Sequence, residues 1–78
     1  MLDHAYYEAT SAEDMLQLGL QACQGLAADR IEAHKWFNLS ALKGCMAARC
    51  YRTDIAAEMQ AFEIAEAQRR AREILTLH

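Results

Sequence analysis

The chain has no proline and no valine in 78 residues, and sixteen of its residues are alanine. Seven are β-branched: Thr10, Ile31, Thr53, Ile55, Ile64, Ile74 and Thr76. Alanine is the best helix former, whereas strands draw on β-branched and aromatic side chains. Without proline, the strongest breaker of helices is missing. These facts predict an all-α fold in which punctuation falls to three glycines, Gly19, Gly25 and Gly44.

Local capping chemistry places the helices. Thr10 and Ser11 are N-cap candidates, with Glu13 and Asp14 three residues on. The spacing predicts a helix over about 11–24. Its apolar stripe is Met15, Leu18, Gly19 and Ala22, with a second line of Leu16, Leu20 and Cys23 beside it. Gly25 suits the left-handed position after a helix, with Leu26 making the apolar contact back. Asp29 caps a second helix over about 30–43, with Glu32 placed to reach back. That stripe is Ala33, Trp36, Phe37, Ser40 and Ala41, and Gly44 ends it. The short loop between the two predicts an antiparallel hairpin. A third helix begins near Met46, on Ala48, Tyr51 with Arg52, Ile55 and Met59. Continuing that phase lands on the charged Glu66, Arg69 and Glu73. The apolar set shifts instead to Ile64, Ala67, Ala71, Ile74 and Leu75, which predicts a break near Gln60-Ala61 and a fourth helix over about 62–77. Residues 1–9, with Tyr6 and Tyr7, have no clear period and read as a partly ordered arm before a single domain over 10–78.

Composition excludes several classes. A domain this small buries only about 60% of its unfolded surface, so a stability of ~3–5 kcal/mol, supplemented by a partner, is expected. Net charge is −3, which disfavours an electrostatic nucleic-acid binder. No apolar run nears the ~20 residues of a membrane span. Met1-Leu2-Asp3-His4 lacks the basic and apolar regions of a signal peptide, so the expected location is the cytoplasm. Cys23, Cys45 and Cys50 form no Cys-x-x-Cys set and read as small hydrophobes rather than metal or redox groups.

Residues 18–48 resemble a Sel-one-like repeat, a relative of the tetratricopeptide repeat. The resemblance rests on Leu18-Gly19, Gly25, Asp29, Ala33, Trp36-Phe37, Ser40-Ala41, Gly44 and Ala47. The tail 64–73 resembles the closing helix of short bacterial members of the family. Ala22 stands where the family commonly has Tyr, and Cys45 where it commonly has Asn. The resemblance implies a short α-solenoid of antiparallel hairpins with about four helices, one full repeat and one degenerate capping pair. It also implies that the first helix lines a protein-contact face. Gly19 and Ala22 are expected to face Ala33, Ser40 and Ala41 closely, since small residues let helices approach. Trp36 and Phe37 are expected to fill the seam with the third helix.

The candidate contact residues are Leu16, Gln17, Leu20, Gln21 and Gln24, with Tyr6 and Tyr7 of the arm. The competing reading is that Leu16 and Leu20 pack inward, against the arm or the third helix. His34 lies away from the Trp36–Phe37 stripe, and His4 and His78 lie near the ends. No histidine has metal-ligand spacing to Cys or carboxylates. Arg69, Arg70 and Arg72, interleaved with Glu63, Glu66 and Glu73, read as a solvated face. Glu58, Glu63 and Glu66 lack an apolar pocket to raise a pKa for acid–base work. No nucleophile elbow or phosphate loop is present. The function expected is non-catalytic: a protein–protein adaptor or a small accessory subunit of a larger assembly, with no cofactor. A homodimeric regulator is the near alternative. A helix-turn-helix nucleic-acid binder ranks lower, because the second helix offers only Arg30, His34, Lys35 and Lys43.

Overall fold

The computed structural model describes residues 4–25 and 28–76. Five helices follow one another: α1 (His4–Ala9), α2 (Ala12–Ala22), α3 (Arg30–Leu42), α4 (Met46–Ala56) and α5 (Ala61–Thr76). The Leu26 contact, His78 and the first three residues of the arm lie outside the described residues.

The helix ends follow local chemistry. Ser11 Oγ accepts from the Asp14 amide at 3.0 Å, and Asp29 Oδ1 from the Glu32 amide at 3.1 Å. These satisfy amides that have no partner within the helix. Gly44 has φ +102°. Around it the Cys45 amide donates to Ser40 O at 3.2 Å and the Gly44 amide to Ala41 O at 3.0 Å, the paired bonds of a Schellman ending. Cys45 makes no side-chain cap to α4. At the start of α5, Glu63 reaches back to the Gln60 amide at 2.8 Å.

The capping box expected at Asp29 forms by half. Glu32 leaves it and takes Lys35 Nζ at 2.7 Å and Arg70 Nη1 at 2.7 Å. Two cations hold a carboxylate better than one backbone amide does.

α3 is the hub. α2, α4 and α5 each pack on it. Met15 of α2, Trp36 and Leu39 of α3, and Ala71 and Ile74 of α5 form one apolar cluster, with Tyr7 packed against it. Leu16 of α2, Ala33 and Phe37 of α3, and Ala48 and Ile55 of α4 form the other. Trp36 and Phe37 therefore part company. Phe37 fills the seam with α4 as expected, but Trp36 seals α5, because adjacent helical residues point about 100° apart.

The close approach of α2 to α3 centres on one pair. A Cβ built on Gly19 would stand 2.5 Å from Phe37 Cε1 and 2.6 Å from Cδ1. Glycine at 19 makes room for a ring, rather than for the small residues of α3 as expected. Ser40, fully buried, donates to Ala12 O at 2.7 Å and ties the start of α2 to α3.

The arm is a fifth helix, more ordered than its aperiodic sequence predicts. Lys43, at the end of α3, donates through Nζ to the carbonyls of Tyr7, Glu8 and Thr10, and lies 4.5 Å from the Tyr7 ring centroid. These are the carbonyls a helix leaves open at its C-terminal end, where a cation is favourable. Thr10 Oγ1 adds a bond to Tyr6 O at 2.7 Å.

His34, off the Trp36–Phe37 stripe, is buried all the same. It is 3% exposed, since α3 is covered on more faces than one hairpin partner would cover.

Candidate functional site

The contact face expected on α2 divides in two. Leu16, at 7% exposure, sits among Phe37, Ala48 and Ile55, so it belongs to the core and not to a docking surface. This is the inward packing against the third helix that competed with the contact reading, and the small Ala48 of α4 leaves room for it. Tyr7 likewise is half-buried against the Met15–Trp36 cluster and under Lys43. Burial, with Glu8 beside it, pushes its phenol above its ordinary range. Gln17, Gln21 and Gln24 are exposed, Leu20 is half-buried beside the α4 cluster, and Tyr6 is exposed.

A cleft of about 260 Å³ opens where α2, α3 and α4 meet. Its walls include Cys23, Phe37, Tyr51, Asp54, Ile55 and Glu58. Phe37 stacks on Tyr51 with centroids 5.4 Å apart and planes at 22°, an offset geometry aromatic rings favour. Tyr51 remains 41% exposed, so the stack carries the core out to the surface. Asp54 and Glu58 stand one turn apart on the rim, and Arg30 lies 4.0 Å from Glu58. Both pair members are well exposed, which leaves their attraction small. Helical register puts Gln17, Leu20 and Gln21 on neighbouring turns of α2, and Gln24 follows just past its end, next to Cys23 at the cleft.

A second charged feature spans α3 and α5. Glu66 takes Arg69 Nη2 at 2.7 Å and Arg70 Nε at 2.8 Å; Arg69 also meets Glu73. Arg70 continues to Glu32, which holds Lys35. The two arginines hold the Glu66 carboxyl down to about 2. Burial opposes ionisation of Glu32, but hydrogen bonds from Lys35 and Arg70 outweigh it and keep that carboxyl below its usual value. The expected solvated face is thus correct for Arg69 and Arg72, which are exposed, but Arg70 is a half-buried strut between helices. Lys35, 6% exposed, also rests 4.3 Å from the Trp36 ring centroid. Charge patterning along one helix does not reveal such a strut, because its partner lies 38 residues away.

Cys23 and Cys45 are half-buried and Cys50 is exposed, and all three are free thiols. Among the described residues no group of three or more His, Cys, Asp or Glu stands together as a metal site. None of the described helices is long and apolar enough to cross a membrane. No family model, curated protein or solved structure matches the chain.

Proposed function

We propose that the chain is a non-catalytic protein-interaction module, an adaptor or small accessory subunit related to the Sel-one-like and tetratricopeptide repeats. The face it offers runs from Gln17, Leu20 and Gln21 of α2 and Gln24 just beyond it, across the cleft, to Tyr51 of α4. The observation that supports this reading is the Phe37–Tyr51 stack, an aromatic surface continuous with the core yet open at one end. Aromatic anchors beside a cleft are the residues that carry binding energy in protein interfaces. The neutral glutamines beside it supply hydrogen bonds at low desolvation cost. Tyr6, exposed on α1, extends the set only if a partner is large.

A photo-crosslinking side chain placed at Gln21 tests the reading, with the same group at Arg72 on the outer face of α5 as control. A discrete heterologous adduct from Gln21, absent from Arg72 and lost on Leu20→Glu, supports it. An adduct of twice the chain's mass identifies a homodimer instead. Equal labelling from both positions refutes the face.

A further inference from the structure

A different groove carries its own chemistry. It lies between α4 and α5 over the middle of α3, and its volume is about 490 Å³. α3 contributes His34 and Asn38 to it, α4 contributes Arg52 and Thr53, and α5 contributes Ile64 and Gln68. None of its lining residues is acidic.

The hydrogen-bonding inventory of this groove is lopsided. Arg52 Nη1 donates to Asn38 Oδ1 at 2.6 Å. That bond commits the oxygen of Asn38 and leaves its NH₂ as the group it offers elsewhere. Thr53 spends its hydroxyl proton on Arg49 O at 3.0 Å. Arg52 meets no carboxylate among the described residues, whereas Arg70, the half-buried arginine of α5, meets two. A guanidinium carries five donors, and one is used here. The groove therefore presents the Asn38 NH₂, the unused guanidinium donors of Arg52 and one uncompensated positive charge. Beneath it lies His34, whose Nδ1 is buried with no hydrogen-bond partner among the described residues. Burial and the Arg52 charge both keep that ring neutral, so it adds no second charge.

We propose that this groove binds a carboxylate carried on a peptide, held by the Arg52 fork and the Asn38 amide. A planar, singly charged acceptor matches one guanidinium bidentately, whereas a phosphate dianion calls for more positive charge than the groove holds. Ile64 gives the flanking peptide an apolar wall. The carboxylate is either a chain terminus or an acidic side chain. This site is separate from the α2–α4 face and stands or falls without it.

The test is a titration of the full chain followed by NMR at the Asn38 side-chain NH₂ and the Arg52 Nε–H. Four probes are used: acetyl-Ala-Leu-Ala with a free carboxylate, its C-terminal amide, acetyl-Ala-Glu-Ala amide, and inorganic phosphate. Saturable shifts with the first or the third probe, and none with the neutral amide, support the proposal and tell terminus from side chain. Arg52→Gln should weaken binding about 10- to 100-fold, the range for losing a charged hydrogen-bond donor, while Arg49→Gln leaves it unchanged. Should Arg52→Gln fail to fold, Gln68→Glu on the exposed rim sets a like charge against the ligand and should weaken binding in the same direction. No saturable shift with either carboxylate, equal binding of the neutral amide, or tighter binding of phosphate would each overturn the proposal.

Discussion

Replacing Gly19 with alanine sets two known quantities against each other. Alanine is favoured over glycine inside a helix by about 1 kcal/mol. Against that, the new methyl would stand 2.5 Å from Phe37 Cε1 and 3.2 Å from Cζ. Any shift of the ring disturbs its packing: Phe37 is 1% exposed and stacked on Tyr51. Overpacking of this kind costs about 1–3 kcal/mol. The net expectation is a loss of roughly 0–2 kcal/mol, too broad a range to decide by itself. A double-mutant cycle with Phe37→Leu separates the two quantities. Leucine removes the ring edge that the methyl strikes, so in that background Gly19→Ala should return its gain of about 1 kcal/mol. The coupling between positions 19 and 37 should then be on the order of 1–3 kcal/mol. Urea unfolding followed by circular dichroism measures it, with a midpoint moving by about 1 M for each kcal/mol in a chain this small. If Gly19→Ala stabilises the native chain by about 1 kcal/mol, with no coupling to Phe37, the α2–α3 approach described here is wrong.

Other perturbations probe other contacts. Lys43→Met removes the cation that serves the carbonyls of Tyr7, Glu8 and Thr10, so the Thr10 amide should exchange faster and stability should fall by about 1–2 kcal/mol; unchanged exchange would detach α1 from α3. Glu32→Gln leaves Lys35 buried without its counter-charge and should cost on the order of 2–3 kcal/mol in urea unfolding, whereas a loss near zero would mean that Lys35 reaches water. His34 resists protonation when folded, while the unfolded ring takes a proton near 6.5. Stability is therefore full above that value and declines as pH falls below it. His34→Asn should flatten this part of the pH–stability curve, and parallel curves would contradict the burial. Glu66 slopes the same way in a lower window: its stabilisation is present above about 4.5 and disappears as pH falls toward about 2. Glu66→Gln should remove that acid limb, and added salt should shrink it in the parent.

What could be read from the sequence was what depends on neighbours in the chain. Ser11, Asp29 and Gly44 act within four residues of the backbone they cap, so the bounds of α2 and α3 were legible. So was the break before α5, because the apolar stripe changes face there. Distant partners left no such mark. Nothing near Lys43 signals that its ammonium serves carbonyls more than thirty residues earlier. Glu32 has the spacing of a capping residue, and only the fold reveals that Lys35 and Arg70 compete for it. The difference between Leu16 and Leu20 was hidden for the same reason. Leu16 and Leu20 are alike in sequence, and the small Ala48 of α4 decides that Leu16 goes inside.

Because α2, α4 and α5 share one axle, none of these three helices is dispensable. A piece stopping at residue 60 keeps Trp36 and Leu39 but strips away the Ala71 and Ile74 that cover them. A piece beginning at residue 28 keeps Phe37 but lacks the Leu16 beside it. Loss of α2 or of α5 therefore wets half the interior at once, and the smallest fragment expected to hold its shape runs from α2 through α5.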